Sequence, residues 1–470
     1  MTRTITPEID FGRYLSQPPG SGTETITEDL ETRLSQALSL PAEQQPMWPD
    51  AEDADATNEI LRNSPPITQT HEVERLKDLL SAVERGEAFL LQGGDCAETF
   101  SGNTEQHIRA NTFLLKQLGL ALSYGARKPV VKVGRIAGQY AKPRSSDVDG
   151  TGNLSYRGDI VNSATPTAAA RLPDPRRMIE AYRQSTTTMN VLRALTGTGG
   201  PDLHEVHRWT EDWLRGSRAS ERFTGLTDAI GRSLQFMAAN GGAAESLAGT
   251  EIFTSHEALL LDYERAMLRR YGEGGSGRLY DLSAHFLWVG ERTRQRNGAH
   301  IALAELLENP IGVKIGPHAT PDEVADYVER LDPSNTPGRL TLITRMGADR
   351  IRDVLPPIVE RVVGTGRSVI WQCDPMHGNT HTARSGHKTR DFDRIVDETQ
   401  GFFEVHRASG TIPGGMHLEM TGDEVTECIG GSQEITDPDL ANRYESACDP
   451  RLNRQQALEL GLLITEMLTS

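Results

Sequence analysis

The sequence predicts an α/β protein: a (β/α)8 TIM barrel with an N-terminal extension and one helical insertion between strands 2 and 3. Three observations predict it. Eight short apolar runs recur from residue 88 onward, most of them followed by a segment of helical periodicity. One connection of about 110 residues, between the second and third runs, breaks that rhythm. The stretch before the first run differs in composition from everything after it.

Residues 1–75 read as the extension. They hold Pro18-Pro19-Gly20-Ser21-Gly22, an acidic stretch from Asp50 to Asp55, and Pro65-Pro66. Leu30, Leu34 and Leu38 recur at every fourth position and predict a helix over 26–40. Two readings stand for this segment: a piece that docks on the main domain or a neighbouring subunit, or a partly disordered tail.

Residues 76–470 read as the catalytic barrel. The eight runs lie at 89–91, 129–133, 251–254, 285–289, 311–315, 340–344, 368–372 and 416–420. Helical patterns occupy 257–271, 321–331, 349–363, 391–408 and 453–468. Thr320-Pro321-Asp322-Glu323 is a well-formed helix start, with Thr at the N-cap, Pro at the first helical position and Glu two residues later. The long connection carries the insertion, 170–248, with helical patterns at 176–195, 204–214 and 222–239. The Gly-rich stretches 197–200 and 272–277 do not follow a strand and lack a GKS or GKT ending, so neither is a phosphate-binding fingerprint; the second reads as a flexible surface loop.

Composition narrows the function classes. The 470 residues hold 49 Lys+Arg against 66 Asp+Glu, a net charge of −17. That balance argues against a nucleic-acid or anionic-membrane binder. No apolar run reaches the roughly 18 residues a membrane span needs. The N-terminus has acids and no apolar core of a secretory signal, and four cysteines are too few for a disulfide scaffold. The expected compartment is a reducing cytoplasm.

A barrel enzyme works at the C-terminal ends of its strands. Two groups of side chains follow the runs there. The first is cationic: Arg135, Lys142, Arg144, Arg292, Lys314 and Arg345. Arg forks bind phosphate and carboxylate in bidentate fashion and Lys supplies a point charge, so this rim reads as a site for multiply charged, phosphorylated anions. The alternative is that these cations pair with the many acids. The second group is Cys96, His377, Glu419 and Asp449. Thiolate, imidazole and two carboxylates suit one divalent ion of the Mn2+, Co2+, Fe2+ or Zn2+ kind. The alternative is that Cys96 is a buried small hydrophobe and His377 a satisfied loop histidine.

These stretches resemble a known family. LQGGDCAE (91–98), KVGRIAGQYAKPRS (132–145), LSYRGD (154–159), SHEALLLDYE (255–264), GERTR (290–294), GVKIGP (312–317), TRMG (344–347), WQCDPMHGNT (371–380), GGMHLEMTG (414–422), VTEC (425–428) and CDPRLN (448–453) are similar to the type II 3-deoxy-D-arabino-heptulosonate 7-phosphate (DAHP) synthases of actinobacteria and plants. The resemblance runs from about residue 40 to the C-terminus. It implies condensation of phosphoenolpyruvate with erythrose 4-phosphate and water, the first shikimate step. It implies one metal ion, Mn2+ first, on Cys96, His377, Glu419 and Asp449. It places phosphoenolpyruvate on Arg135, Arg292, Lys314 and Arg345, with Glu291 nearby as a candidate to orient water. Lys142, Arg144 and Ser145 would hold the aldose phosphate, and Lys142 is a candidate proton donor. It also implies a homo-oligomer, dimer or tetramer, with aromatic amino-acid effectors and a chorismate mutase as partner.

Gly134 stands where the family pattern has Ala, and His318 where it has Asn. They leave open a secondary-metabolism paralogue that makes DAHP for another route or takes an imino-sugar phosphate. A catalytically silent scaffold subunit would have lost ligands or cations, and all ten candidate site residues are present. Cys448 adjoins Asp449, so a Cys96–Cys448 redox disulfide and a pair of reduced core thiols both remain open.

Overall fold

A computed structural model describes residues 24–197, 203–215, 220–239, 251–271 and 277–469. The Pro18–Gly22 stretch, most of the Gly197–Gly200 joint and of the 272–277 loop, and the end of the insertion lie outside the described residues.

Three helices precede the barrel: α1 (Glu24–Ser39), α2 (Ala51–Arg62) and α3 (Thr70–Glu84). The acidic stretch is the start of α2. Asp50 caps it, accepting from Glu52 N at 2.9 Å, and Glu52 and Asp53 occupy the first turn, where the helix dipole favours negative charge. The expected boundary after residue 75 falls inside α3.

Then come β1 (Phe89–Gly94), α4 (Glu105–Ala126) and β2 (Val130–Arg135), followed by the insertion helices α5 (Arg177–Thr196), α6 (Leu203–Arg215) and α7 (Ser220–Ala239). The chain continues through β3 (Ile252–Glu257), α8 (Leu261–Met267), β4 (Leu268–Tyr271), β5 (Arg278–Asp281), β6 (Phe286–Val289), α9 (Ala299–Ala304) and β7 (Ile311–Ile315). Next are α10 (Pro321–Leu331), β8 (Leu340–Thr344), α11 (Ile351–Val363), β9 (Ile370–Cys373), β10 (Thr380–Thr382), β11 (Lys388–Arg390), α12 (Phe392–Ala408), β12 (Pro413–Glu419) and α13 (Arg454–Thr469). Thr320 caps α10 as its sequence requires, accepting from Glu323 N.

Eight parallel strands close a barrel in the order β1, β2, β3, β6, β7, β8, β9, β12, with β1 pairing β12. Each apolar run is one of these strands. Two antiparallel hairpins, β4–β5 and β10–β11, lie outside it. The helix expected over 257–271 is a correction. Glu257 ends β3, its N–H donating to Gln139 Oε1 at 3.0 Å, and Leu268–Tyr271 pair with β5, leaving seven residues of helix between.

The barrel interior is layered. Its lower part is apolar: Leu90, Val131, Val133, Phe253, Phe286, Ile343 and Ile370 meet Leu76, Leu80 and Val83 of α3, which closes the N-terminal mouth. Each such side chain contributes on the order of 1.5–3 kcal/mol by leaving water. Above this plug the interior turns polar, and strand-to-strand side-chain hydrogen bonds tie much of it. Gln92 Nε2 donates to Ser255 Oγ at 2.9 Å and Gln372 Nε2 to the Met416 carbonyl at 3.0 Å. The extension docks on the barrel through Trp48 Nε1, which donates to Asp262 Oδ2 at 2.7 Å, and Gln45 Nε2, which donates to the Leu259 carbonyl at 2.8 Å. Among the described residues no helix is long and apolar enough to cross a membrane.

Candidate functional site

A cleft opens at the C-terminal ends of the strands, lined among others by Arg135, Lys142, Glu257, Glu291, Arg292, Lys314, Arg345, His377 and Asp449. Its floor is Trp288 at the end of β6. The Arg135 guanidinium lies 5.0 Å from the Trp288 ring and the Lys314 ammonium 5.8 Å, so one aromatic face supports two cations.

Arg135, the last residue of β2, has partners for four of its five N–H groups. It donates to the Asp95 and Cys96 carbonyls, to Glu419 Oε1 at 3.0 Å and to His417 Nε2 at 2.6 Å. His417 donates in turn to Gln92 Oε1 at 2.8 Å, and burial among Lys314 and Arg135 keeps it neutral. Lys314 of β7 meets Asp374 Oδ2 at 2.5 Å. Burial draws Lys314 down to about 8 against the pull of Asp374.

His377, Glu419 and Asp449 each place a ligand atom within 4.8 Å of the others. Asp374 Oδ2 accepts from His377 Nδ1 at 2.7 Å, which fixes the ring and leaves Nε2 turned to Glu419 Oε1 at 3.1 Å. Lys142 Nζ sits 3.2 Å from Glu419 Oε1 and 3.1 Å from Asp449 Oδ2, while Arg390 holds Glu419 Oε2 at 2.7 Å. Burial disfavours both charged carboxylates, but the surrounding His377, Lys142 and Arg390 outweigh it and hold them well below the usual range. Both stay ionised, as metal ligands must. Cys96 is not among the three clustered residues. Its Sγ accepts from Asp449 N at 3.3 Å, lies 3.3 Å from Ser446 Oγ and packs in one buried cluster with Cys448; both cysteines are free. Histidine nitrogen, two carboxylates and an adjacent thiol make a donor set that fits a borderline divalent ion.

The remaining cations differ from the engaged ones. Arg292 donates to Ser145 Oγ at 2.9 Å, and Arg345 donates to the His377 carbonyl at 3.2 Å with its Nε buried and unpartnered. Neither has a carboxylate partner among the described residues, and neither does the Arg144 side chain. Arg144 does not line the cleft; its backbone N–H is fixed by Gln44 Oε1 of the extension at 2.7 Å. Simple pairing with acids thus accounts for Arg135, Lys142 and Lys314 and fails for these three. Glu291 accepts from Arg294 at 2.9 Å through Oε1, and its Oε2 is buried without a partner.

Sequence reasoning missed several groups. Glu257 is buried in the cleft with Oε1 unpartnered, and desolvation raises its pKa. Gly290 lies so close that a Cβ there would fall 2.0 Å from Glu257 Oε1. Glu98 accepts the N–H groups of Ala137, Gly138 and Gln139 at 2.7–2.9 Å, shaping the loop between Arg135 and Lys142. Glu427 accepts the N–H groups of Glu445, Ser446 and Arg451, framing the loop that carries Asp449. Trp288 and Asp374 stood inside strand-end motifs. Glu98 stood in LQGGDCAE and Glu427 in VTEC with no role read for them, and Arg390 carried no sequence signal.

The two departures from the family pattern sit off the cleft. A Cβ at Gly134 would face Ile136 Cγ2 at 2.7 Å and Leu115 of α4, on the outer side of the barrel, and His318 is exposed.

Two curated relatives and one family profile match most of this chain. A phospho-2-dehydro-3-deoxyheptonate aldolase, AroG, of Mycolicibacterium smegmatis is 59% identical over 94% of this chain and 96% of its own. A phospho-2-dehydro-3-deoxyheptonate aldolase of Streptomyces coelicolor is 52% identical over 91% of this chain and 95% of its own. A solved aldolase of the same name from Francisella tularensis covers 87% of this chain and 96% of its own at 12% identity and a TM-score of 0.47. The profile of the Class-II DAHP synthetase family matches residues 32–465, and the chain belongs to that family.

Proposed function

We propose that the protein is a DAHP synthase. It joins carbon 3 of phosphoenolpyruvate to the aldehyde of D-erythrose 4-phosphate, adds water at carbon 2, and releases phosphate. The observation that carries this reading is that Arg292 and Arg345, without carboxylate partners, face the same cleft as His377, Glu419 and Asp449. The names of the two actinobacterial relatives support it.

Cys96, His377, Glu419 and Asp449 are the residues that would hold the family's divalent metal, with Mn2+ the first candidate. When bound, that ion supplies Lewis-acid polarisation of the aldehyde oxygen. Arg292, Arg345, Lys314 and Arg135 bind the phosphate and carboxylate of phosphoenolpyruvate over Trp288. Arg144 and Ser145 take the aldose phosphate; the Arg292–Ser145 hydrogen bond supports a reading with two neighbouring anion subsites. These fixed charges lower the cost of gathering three anionic groups and support the departing phosphate. Glu291 Oε2, buried and free to accept, orients the water that adds to carbon 2. Lys142 donates to the Cys96 carbonyl and lies between Glu419 and Asp449, so it turns an N–H to the oxygen that gains charge by giving up one of these three partners.

The same reading makes the protein a cytoplasmic enzyme of the first shikimate step and a homo-oligomer. Residues 1–75 and 170–248 then serve subunit contacts, inhibition by aromatic amino acids and docking of a chorismate mutase. Support for this lies in the helices that both segments add to the outside of the barrel. Inhibition by Trp, Phe and Tyr, singly and paired, tests that part; a flat response removes it.

The activity is tested by following phosphoenolpyruvate loss and DAHP formation with erythrose 4-phosphate, before and after chelation and with Mn2+ or Co2+ restored. Metal-dependent DAHP is the expected result. Metal binding without product overturns the reading.

A further inference from the structure

We propose that Glu398 is a positioning residue that locks the loop bearing Arg345 to the loop bearing His377. The inference rests on the reading of the cleft given above. It concerns how the anion site and the metal site are held in one fixed relation.

Glu398 lies in the middle of α12 and has no exposed surface. Its carboxylate reaches the C-terminal ends of β8 and β9. Oε1 accepts the N–H groups of Met346 and Gly347, each at 2.8 Å, the two residues that directly follow Arg345. Oε2 accepts Asn379 Nδ2 at 2.7 Å, two residues beyond His377. Asn379 completes the link: its Oδ1 accepts from Ala348 N at 3.1 Å and its Nδ2 also donates to the Pro375 carbonyl at 2.8 Å. One carboxylate and one amide therefore fasten both loops.

Nothing else is interposed. Gly347 sits at φ +85°, and a Cβ on Gly378 would fall 2.4 Å from Gly347 N, so the two loops touch backbone to backbone. The side chain of Arg345 continues the contact by donating to the His377 carbonyl at 3.2 Å. A shift of either loop thus moves the Arg345 guanidinium relative to His377 Nε2.

Three donors converge here and a carboxylate brings none of its own; burial pushes Glu398 up to about 8, against the donors, which favour the charged form. A glutamine at 398 keeps an oxygen for Met346 and Gly347 but turns an NH2 toward the NH2 of Asn379. One amide must rotate, and if Asn379 does so its oxygen leaves Ala348 N. The fold loses little, because α12 keeps its apolar face; the relation between the two loops is what changes.

The test uses the full chain carrying Glu398→Gln, and separately Asn379→Ala, beside the wild type. Mn2+ affinity is titrated by electron paramagnetic resonance on protein stripped of metal. The KM for phosphoenolpyruvate, the KM for erythrose 4-phosphate and the thermal midpoint are measured alongside. The expected result is Mn2+ binding weaker by about ten- to a hundredfold, as for lost partners of metal ligands generally. The phosphoenolpyruvate KM should rise by a similar factor while the erythrose 4-phosphate KM holds. Unchanged Mn2+ affinity and KM overturn the proposal, and so does a uniform loss of all parameters in step with the thermal midpoint. If Glu398→Gln does not fold, Asn379→Ala, which leaves the Met346 and Gly347 bonds in place, decides the matter. If the wild type binds Mn2+ and makes no DAHP, the proposed activity falls while the Mn2+ comparison still decides the role of Glu398.

Discussion

The Lys142 ammonium lies 3.2 Å from Glu419 Oε1, inside the carboxylate pair expected to hold the metal. A cation so placed competes with a metal ion for the same oxygens and also steadies charge that builds beside them. Lys142→Gln should therefore bind Mn2+ at least as well as wild type, while turnover falls by about a hundredfold or more, the usual scale for losing one preorganised donor. Turnover is measured at saturating metal and affinity by Mn2+ titration. Loss of Mn2+ binding with turnover intact would contradict this placement.

Glu291→Gln tests the orienting role. Glu291 Oε2 is buried and unpartnered, while Oε1 is committed to Arg294. The amide keeps the shape and exchanges an acceptor for a donor. The expected kcat is lower by roughly a hundredfold or more, within the range for a lost general acid–base group, with little change in either KM. Full turnover ends that assignment.

Cys96 and Cys448 are adjacent free thiols, and Cys96 also touches the backbone of Asp449. Mild oxidation of metal-free protein should link them and abolish Mn2+ binding. Cys448→Ser should be resistant, with the cross-link read by peptide mass mapping. Inactivation that persists in Cys448→Ser excludes the pair as its cause.

Gly290→Ala places a methyl group 2.0 Å from Glu257 Oε1. Overpacking of this kind costs about 1–3 kcal/mol, so a lowered thermal midpoint is expected. Activity should fall further than stability, because Glu291 and Arg292 follow directly. A fully active variant would show that the cleft wall yields.

His107 gives a pH signature. Burial opposes its charge, but Asp95 and Asp423, at 2.7 and 2.6 Å, outweigh that and raise it from 6.5 to about 10. The folded value exceeds the unfolded one, so the contribution to stability is complete below pH 6.5 and lost as pH rises toward 10. Denaturant midpoints between pH 6 and 10 should fall more steeply for wild type than for His107→Gln. Parallel curves would remove His107 as the cause.

The eight barrel strands were legible because most are buried on both faces and carry a short apolar run, such as Phe286–Val289. The two hairpins were not. Thr380–Thr382 and Lys388–Arg390 are three residues each and mostly polar, too short for any periodicity. Arg390 was hidden with them. Arg135, Lys142, Arg292, Lys314, Arg345, His377, Glu419 and Asp449 come together because they lie at or after strand ends, and strand ends share one rim; Arg144 does not line the cleft. Glu98, Glu398 and Glu427 were not legible. Their role is to accept backbone N–H groups of distant loops, and a backbone N–H has no letter in the sequence.

The pairing of β1 with β12 joins Leu90 to Gly415 and Gly94 to Glu419, the first strand to the last. Helix α13 then packs on α4, at the opposite end of the chain. On a ribosome the first strand waits for nearly the whole polypeptide before its second neighbour exists. Its unpaired edge and the apolar plug beside it are exposed for that interval. Ring closure therefore cannot precede synthesis of β12, and until then the nascent chain carries an open sheet edge of the kind that invites aggregation.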